Sequence, residues 1–144
     1  MPKKPCPRLL SAFMFLVFAC LLGAQQTQAP AQTPAPEYKI PPEDAQKPNP
    51  VKPSAESLAR GKKVYAIDCA LCHGDKGDGK GDMASDVKNI TDFTNAEVQK
   101  HATDGEWFYI IRKGKGDMPP EDAGRAKDEE VWNLVNYVRS FGKK

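Results

Sequence analysis

One run of five residues, Cys69-Ala70-Leu71-Cys72-His73, constrains this chain more than any other feature of its sequence. Its two thiols lie about one helical turn apart, and an imidazole follows the second thiol directly. This is the pattern for attachment of a c-type haem, in which the thiols bond the two vinyl groups and the imidazole reaches the iron. The sequence therefore predicts that Cys69 and Cys72 bind one haem c and that His73 is a ligand of its iron.

Other chemistries also use closely spaced cysteines or acidic loops. A zinc site needs four ligands, and once the predicted leader is removed, His101 is the only His or Cys besides the three of this run. A thioredoxin-like redox pair would need a βαβ context, for which the sequence gives no signal. The glycines and acids of residues 74–82 lack the spacing of an EF-hand calcium loop, so we predict a flexible turn at the haem edge there.

The first residues predict an export signal. A positively charged start with Lys3, Lys4 and Arg8 precedes the uncharged, mostly apolar run Leu9–Leu22. That run is shorter than the roughly 20 residues that a membrane-spanning helix needs. We therefore predict a signal peptide over residues 1–24 and an exported, periplasmic protein.

The cleavage point and a membrane tether are left open by the sequence. Ala24 is a poor cleavage site because an apolar residue lies three positions before the cut, whereas Ala29 and Ala31 form a small-x-small pair. Cleavage is therefore expected between residues 24 and 31. An uncleaved leader would anchor the protein in the membrane, and a lipid on Cys20 would be a second route to the same result.

Proline is the most informative residue of the next segment. Residues 25–53 contain eight prolines in twenty-nine positions, interleaved with Ala, Gln and Thr, and they show no apolar periodicity. A segment of this composition cannot bury enough apolar surface to fold by itself. The sequence predicts a disordered linker over 25–53 and a folded domain over 54–144.

Beyond the linker the sequence carries the signals of helices. Ser54 is a candidate N-cap, and two hydroxyl residues followed three positions later by glutamate predict capping boxes, Thr94 with Glu97 and Thr103 with Glu106. The last helix carries an apolar stripe: Val131, Leu134, Val135, Val138 and Phe141. No segment alternates with a period of two over a useful length, so we predict an all-α domain.

The run Cys69–Gly74 resembles the haem-attachment segment of class I cytochromes c, small bacterial ones especially. The resemblance covers about the last 90 residues, near the size of one small domain. It implies the small cytochrome c fold, in which the N- and C-terminal helices cross around a covalently bound haem. That family crosses its helices through a small residue and aromatic side chains, which Gly61 and Tyr65 match on the first helix and Leu134 and Tyr137 on the last.

The resemblance also implies a methionine as the second axial ligand, within a glycine-rich stretch that ends in Met-Pro. Residues 114–120, Gly-Lys-Gly-Asp-Met-Pro-Pro, are similar to it and make Met118 the implied ligand. Glycines let the backbone pass close to a flat ring, and a thioether is a soft iron ligand. Met83 lies too soon after His73 to cross to the opposite haem face, and His101 in its polar stretch is the remaining alternative.

One departure from the family concerns how His73 is held. Relatives often orient the ring with a proline carbonyl, and no proline lies between His73 and Met118. A ligating histidine normally donates its other ring N–H to an acceptor, so another carbonyl is expected, although the sequence does not identify it. Apolar residues expected to line the haem are Val87, Ile90, Phe93, Trp107, Phe108 and Ile111.

The resemblance implies a one-electron carrier rather than an enzyme, with redox proteins as partners. Two axial ligands from the protein leave the iron no open site for a substrate. The formal net charge of +2 gives no sign of nucleic-acid binding. Two alternatives remain: a haem enzyme or gas sensor whose sixth site opens, and a subunit fixed in a larger complex.

Overall fold

Helices are the secondary structure of the part of the chain that the computed structural model describes, residues 38–143. They are α1 (Pro42–Ala45), α2 (Ala55–Asp68), α3 (Ala70–His73), α4 (Ala96–His101), α5 (Asp104–Lys113) and α6 (Asp128–Phe141), with a 3₁₀ turn at Ala84–Asp86. Within these residues the only extended pairing is an isolated bridge between Lys115 and Met118. The all-α prediction is therefore confirmed. No helix in the described range is long and apolar enough to cross a membrane.

Two of the predicted helix starts are formed as expected. The Ser54 side chain accepts a hydrogen bond from the Ser57 N–H at 3.1 Å and begins α2. At the start of α5, Thr103 Oγ1 accepts from the Glu106 N–H at 3.1 Å, and the Glu106 carboxylate accepts from the Thr103 N–H at 2.7 Å. This reciprocal pair is the predicted capping box, and it satisfies two backbone donors that a helix start leaves without partners.

The predicted capping box of Thr94 and Glu97 is wrong. Helix α4 begins one residue later, with Asn95 as the N-cap, and the Asn95 side chain accepts from the Glu97 N–H at 2.9 Å. The Thr94 hydroxyl donates instead to the Asp92 carboxylate. Asparagine is at least as good an N-cap as threonine. The Thr94 N–H donates to the same Asp92 carboxylate at 2.8 Å, so Asp92 holds Thr94 outside the helix.

Helices α2 and α6 cross in close contact at Gly61, as the resemblance implied. A Cβ on Gly61 would collide with the carbonyl oxygen of Asn133 and with Cβ of Tyr137. Beside this point the rings of Tyr65 and Tyr137 meet edge to face, with centroids 5.3 Å apart. The absence of a side chain at Gly61 is therefore what allows the two helix backbones to approach.

The core lies between the crossing helices and α5. Its buried apolar side chains are Tyr65, Phe93, Trp107, Ile111, Ala126, Val131, Trp132, Leu134, Val135, Val138 and Phe141. All five residues of the apolar stripe predicted for the last helix are among them. We refer to this set as the core cluster.

Residues 38–53 do not form the disordered linker that the sequence predicted. They belong to the same structural unit as the helices, and we call them the N-terminal strap. The Asn49 amide donates to the Trp132 carbonyl at 3.1 Å and to Asn136 Oδ1 at 3.0 Å, and the buried Asn136 amide donates to the Val51 carbonyl at 3.0 Å. Since these bonds satisfy a buried amide of α6, the strap supplies polar groups that the core needs.

Helix α1, within the strap, packs on the start of α5. The Thr103 hydroxyl donates to the Ala45 carbonyl. A Cβ on the buried Gly105 would collide with the Asp44 carbonyl oxygen, so the glycine permits the close approach of the two segments. The folded unit therefore begins at Tyr38 rather than at residue 54. The predicted signal peptide, residues 1–24, and linker residues 25–37 lie outside the described residues.

Arg139 joins the end of α4 to α6. Its guanidinium donates to the carbonyl oxygens of Gln99 and Ala102 and contacts the Asp104 carboxylate at 2.7 Å. The Gln99 amide in turn donates to the Phe93 carbonyl at 2.7 Å and to the Val138 carbonyl at 3.0 Å. One arginine thus provides donors for carbonyls that the end of a short helix leaves without intrahelical partners.

Candidate haem site

The attachment motif sits where α2 ends and α3 begins. Cys69 is the N-cap of α3, and the backbone N–H groups of Cys72 and His73 both donate to the Cys69 carbonyl, at 3.2 and 2.9 Å. The two cysteines are therefore one tight turn apart, and neither forms a disulfide. Burial, and to a smaller degree the nearby Glu121 and Cys72, raises the pKa of the Cys69 thiol to about 12. Such an environment favours an uncharged sulfur, as in a thioether, over a thiolate.

The loop after the motif folds back onto α3 through its backbone. The N–H groups of Gly79, Gly81 and Met83 donate to the carbonyls of His73, Cys72 and Leu71 at 2.9, 3.1 and 3.0 Å. A Cβ on Gly81 would collide with backbone atoms of residues 70 and 71. The lack of a side chain at Gly81 therefore allows the loop backbone to pack directly on α3. Within residues 38–143, no group of three or more His, Cys, Asp and Glu side chains is arranged to hold a metal ion.

The His73 ring is oriented by two neighbours. Nδ1 lies 3.3 Å from the Thr91 carbonyl oxygen, and the ring stacks on Phe93 with centroids 4.5 Å apart. Burial lowers the pKa of His73, and the contact with Thr91 opposes this in part. The neutral tautomer that fits the Thr91 carbonyl carries its proton on Nδ1, which leaves the lone pair of Nε2 available to a metal. Thr91 is therefore the carbonyl acceptor that the sequence did not identify.

Met118 lies in a tight loop after α5. The backbones of Lys115 and Met118 exchange hydrogen bonds of 3.0 and 3.1 Å. Gly114 and Gly116 have positive φ values of 74° and 61°, a conformation that glycine adopts without strain. The Met118 side chain is half-buried and packs against the core cluster. It thus reaches the same cluster that contains Phe93, on which His73 stacks.

The two alternative ligands lie elsewhere. Met83 is 41% exposed at the surface and is not part of the core cluster or its half-buried neighbours. The His101 side chain is 76% exposed on α4, with Nε2 3.2 Å from the carboxylate of Glu97 one turn earlier. The structure therefore brings Met118 to the apolar interior and leaves both alternatives at the surface.

The residues expected to line the haem fall into two groups. Phe93, Trp107 and Ile111 are buried in the core cluster, and Phe108 packs against it. Val87 and Ile90 are half-exposed on the segment that precedes Thr91.

An orphaned polar atom tests whether this site fits a haem. The indole Nε1 of Trp107 is buried and has no hydrogen-bond partner among the described protein atoms. A buried donor without an acceptor is costly, and a haem brings two carboxylate side chains that can accept such a bond. Together with two thiols on one turn and an imidazole with a free Nε2, this donor set fits a c-type haem.

Comparison with known proteins gives the family. A family model described as cytochrome c oxidase, cbb3-type, subunit III matches residues 56–138, more than half of the chain. The chain belongs to the class I cytochromes c. The cytochrome therefore carries one covalently bound haem c with its iron. Its general function is haem-based electron transfer.

Relatives of this cytochrome include small carriers and domains of larger proteins. It is 33% identical to cytochrome c6 of Cladophora glomerata over 84 residues, which are 58% of this chain and 88% of the relative. It is 31% identical to quinohemoprotein alcohol dehydrogenase ADH IIB of Pseudomonas putida over 134 residues, 93% of this chain but 17% of that protein. The cbb3-type oxidase subunit FixP of Azorhizobium caulinodans is 27% identical, with 27% of its length covered. The cytochrome thus spans a sixth to a quarter of these two longer relatives.

Solved structures agree with the fold. The c-type cytochrome KustC0563 is 31% identical with a TM-score of 0.50, and the match covers 56% of this chain and 95% of that one. A chain of the reducing HAO-like complex Kustc0457/Kustc0458 of Kuenenia stuttgartiensis is 28% identical with a TM-score of 0.53, over 64% of this cytochrome and 46% of that chain. The small cytochrome c fold predicted for the chain is therefore confirmed.

Proposed function

We propose that this cytochrome is a periplasmic one-electron carrier whose iron is ligated by His73 and Met118. The observation that carries the proposal is that Met118 packs against the core cluster and His73 stacks on Phe93 of that cluster. The rival ligands Met83 and His101 are exposed. A methionine opposite a histidine is the ligand pair typical of cytochromes c.

Each residue of the site has a role that suits electron transfer. A bound haem supplies a one-electron couple at its iron. The Thr91 carbonyl fixes the His73 ring, so the ligand needs little rearrangement between redox states. The Met118 thioether raises the reduction potential, and the apolar surroundings formed by Trp107 and Ile111 raise it further because they disfavour the more highly charged ferric site.

The location is proposed from the leader and from the family. Residues 1–24 carry the pattern of a signal peptide. Haem attachment to two cysteines is also a feature of cytochromes that are generally exported. Redox proteins are the partners, and a tether through Cys20 or an uncleaved leader would hold the carrier at the membrane.

The test is the absorption spectrum of the purified holoprotein, oxidised and reduced, for wild type, Met118→Ala and Met83→Ala. We expect a weak red methionine-to-iron band in the ferric wild type that disappears in Met118→Ala and persists in Met83→Ala. Loss of the band in Met83→Ala alone, or a ferric wild type without the band, would overturn His73/Met118 ligation. Tight carbon monoxide binding by the ferrous wild type at neutral pH would favour a gas sensor or a haem enzyme instead.

The alignment with the alcohol dehydrogenase favours one more specific role. It extends over 134 residues and so includes the N-terminal strap as well as the helices. The named activity belongs to that longer protein, of which this cytochrome covers 17%. We propose that electrons reach the cytochrome from a dehydrogenase, which co-purification of such an enzyme from the native membrane or periplasmic fraction would support. Elution as a free monomer in every fraction would argue against a fixed complex.

A further inference from the structure

The N-terminal strap makes a direct contact with the loop that carries Met118. The Tyr38 hydroxyl donates a hydrogen bond to the Gly114 carbonyl oxygen at 2.7 Å, across seventy-six positions of the chain. Gly114 is buried and is the first residue of the glycine loop, residues 114–120. The strap therefore reaches the loop at the point where the backbone leaves α5.

The hydrogen bond from Tyr38 gives the Gly114 carbonyl oxygen a partner, so both backbone polar groups of Gly114 are hydrogen-bonded. Its N–H already donates to the Ile110 carbonyl at 2.8 Å, so α5 holds one side of the residue and Tyr38 holds the other. A Cβ on Gly114 would approach the Met118 carbonyl oxygen at 2.5 Å, which shows how tightly the loop closes on itself. The backbone of Met118 is paired with that of Lys115, the residue next to Gly114. The backbone conformation at Gly114 therefore sets the course of the paired segment that carries Met118.

Tyr38 is held in place by contacts that do not involve the loop's methionine. Its ring meets the Tyr109 ring of α5 edge to face, with centroids 6.4 Å apart. Further along the strap, Asn49 and Val51 form hydrogen bonds with the side chain of Asn136 on α6. The hydroxyl is therefore presented by an ordered segment rather than by a free chain end. The Lys115 ammonium lies 5.4 Å from the centroid of the Tyr38 ring and adds a second contact with the loop.

We propose that Tyr38 is a positioning residue for Met118: its hydroxyl, carried by the N-terminal strap, holds Gly114 so that the glycine loop keeps the thioether on the haem iron. The proposal rests on the His73/Met118 ligation proposed above. It gives residues 38–53 a role at the iron site, although none of them belongs to the attachment motif or to the glycine loop.

The apparent affinity of the ferric protein for exogenous imidazole distinguishes positioning of Met118 from a general contribution of Tyr38 to stability. Imidazole binds ferric iron only where the methionine has left, so its apparent affinity reports the fraction of protein in the detached state. Its intrinsic affinity for the iron does not depend on residue 38. A change in apparent affinity therefore measures how firmly the loop holds Met118.

The experiment compares holoprotein variants Tyr38→Phe and Tyr109→Phe with wild type, in ferric imidazole titrations at neutral pH. Phenylalanine keeps the ring contacts of Tyr38 and removes only the hydroxyl. Tyr109 is the matched control, because its hydroxyl makes no hydrogen bond within residues 38–143 that involves the glycine loop. We expect imidazole to bind Tyr38→Phe about threefold to tenfold more tightly, the size of one ordinary hydrogen bond. Tyr109→Phe should match wild type.

A second control separates positioning from general loss of stability. Arg139→Met removes contacts of α6 with the end of α4 that involve no residue of the glycine loop, and it should lower the melting temperature without changing imidazole affinity. Equal imidazole affinity in Tyr38→Phe and wild type would overturn the proposal, as would an equal gain in Arg139→Met. A wild type without the methionine band would instead overturn the ligation itself, so the two failures are distinguishable.

Discussion

The Nδ1 atom of His73 lies 3.3 Å from the main-chain oxygen of Thr91. A carbonyl acceptor does not depend on the side chain of its residue, which explains how this cytochrome orients its histidine without the proline that relatives use. The segment that contains Thr91 is held by the Phe93 N–H, which donates to the Gly77 carbonyl at 2.7 Å. The requirement at this position is thus a backbone path rather than a residue type.

Replacement of Thr91 by alanine should therefore leave the haem site unchanged. Thr91→Ala keeps the carbonyl that accepts from His73, so the reduction potential and the absorption spectrum should equal those of wild type within error. Redox titration of the two holoproteins checks this. A shifted potential together with an unchanged melting temperature would show that the threonine side chain contributes to the site.

Gly61→Ala should destabilise the holoprotein by about 1–3 kcal/mol, the usual cost of adding atoms to a packed contact. The new methyl group would collide with the Asn133 carbonyl oxygen and force the crossing helices apart. Urea unfolding followed by circular dichroism measures the free-energy change. Gly124→Ala is the matched control, since a Cβ there meets only a flexible carboxylate side chain. Equal stability of the two variants would show that the crossing is looser than described.

Arg139→Met should cost about 2–4 kcal/mol of the free energy of unfolding. The change leaves the carbonyls of Gln99 and Ala102 without their charged donor, and hydrogen bonds to charged groups contribute more than neutral ones. Arg60→Met is the control, because the ion pair of Arg60 with Glu129 is solvent-exposed and such pairs contribute roughly 0–1 kcal/mol. Similar losses in both variants would contradict a special role for Arg139.

Glu121 should give the stability a distinct pH dependence. Burial raises its pKa above the ordinary value of 4.5, an effect that Arg112 partly offsets. A carboxyl whose folded-state pKa is raised stabilises the fold below the unfolded pKa and loses that contribution as pH rises through the folded pKa. Its Oε1 atom is buried with no hydrogen-bond partner among the described atoms, and Arg125 Nε is 4.0 Å away.

Glu121→Gln removes the charge at nearly constant volume and should therefore gain stability relative to wild type between pH 4 and pH 7. Urea unfolding at the two pH values measures the difference. Glu129→Gln, at an exposed position, is the matched control for the amide substitution itself. If the stability difference between Glu121→Gln and wild type shrinks as pH rises, the charge of Glu121 is better compensated than its burial indicates.

The double variant Cys69→Ser, Cys72→Ser should not fold cooperatively. A domain of this size has little core of its own, and a covalently bound haem would add apolar surface to that core. Mass spectrometry checks that haem is absent, and thermal unfolding followed by near-ultraviolet circular dichroism checks the tertiary structure. A soluble variant with a sharp unfolding transition would show that the protein part is sufficient for folding.

Sequence reasoning succeeded where local chemistry decides the outcome. The cap at Ser54 and the capping box at Thr103 depend on side chains within three residues of each other, and both were formed as predicted. The predicted box at Thr94 failed because each of its two partners is bound by a nearer residue: the Thr94 hydroxyl donates to Asp92, and the Glu97 N–H donates to Asn95. A pattern of two residues cannot decide between neighbours that are equally able to form the bond.

The strap and the Thr91 acceptor were missed for a different reason. Order at Asn49 depends on a buried amide of Asn136, far along the chain, and no local periodicity signals that partnership. The Thr91 carbonyl is present whatever the side chain, so no residue type marks it. For the Met118 loop the resemblance supplied what composition could not, since a lone methionine in a turn has no chemical signature of its own.

The ordered strap also limits how far a tethered form of this cytochrome could work from a membrane. With a lipid on Cys20, seventeen residues, 21–37, would separate the anchor from Tyr38, where the folded unit begins. Even fully extended, that segment would span at most about 60 Å, roughly half of what a flexible chain up to residue 53 would allow. Electron donors and acceptors of the anchored protein would therefore have to meet it within that distance of the bilayer, extended only by the size of the folded unit.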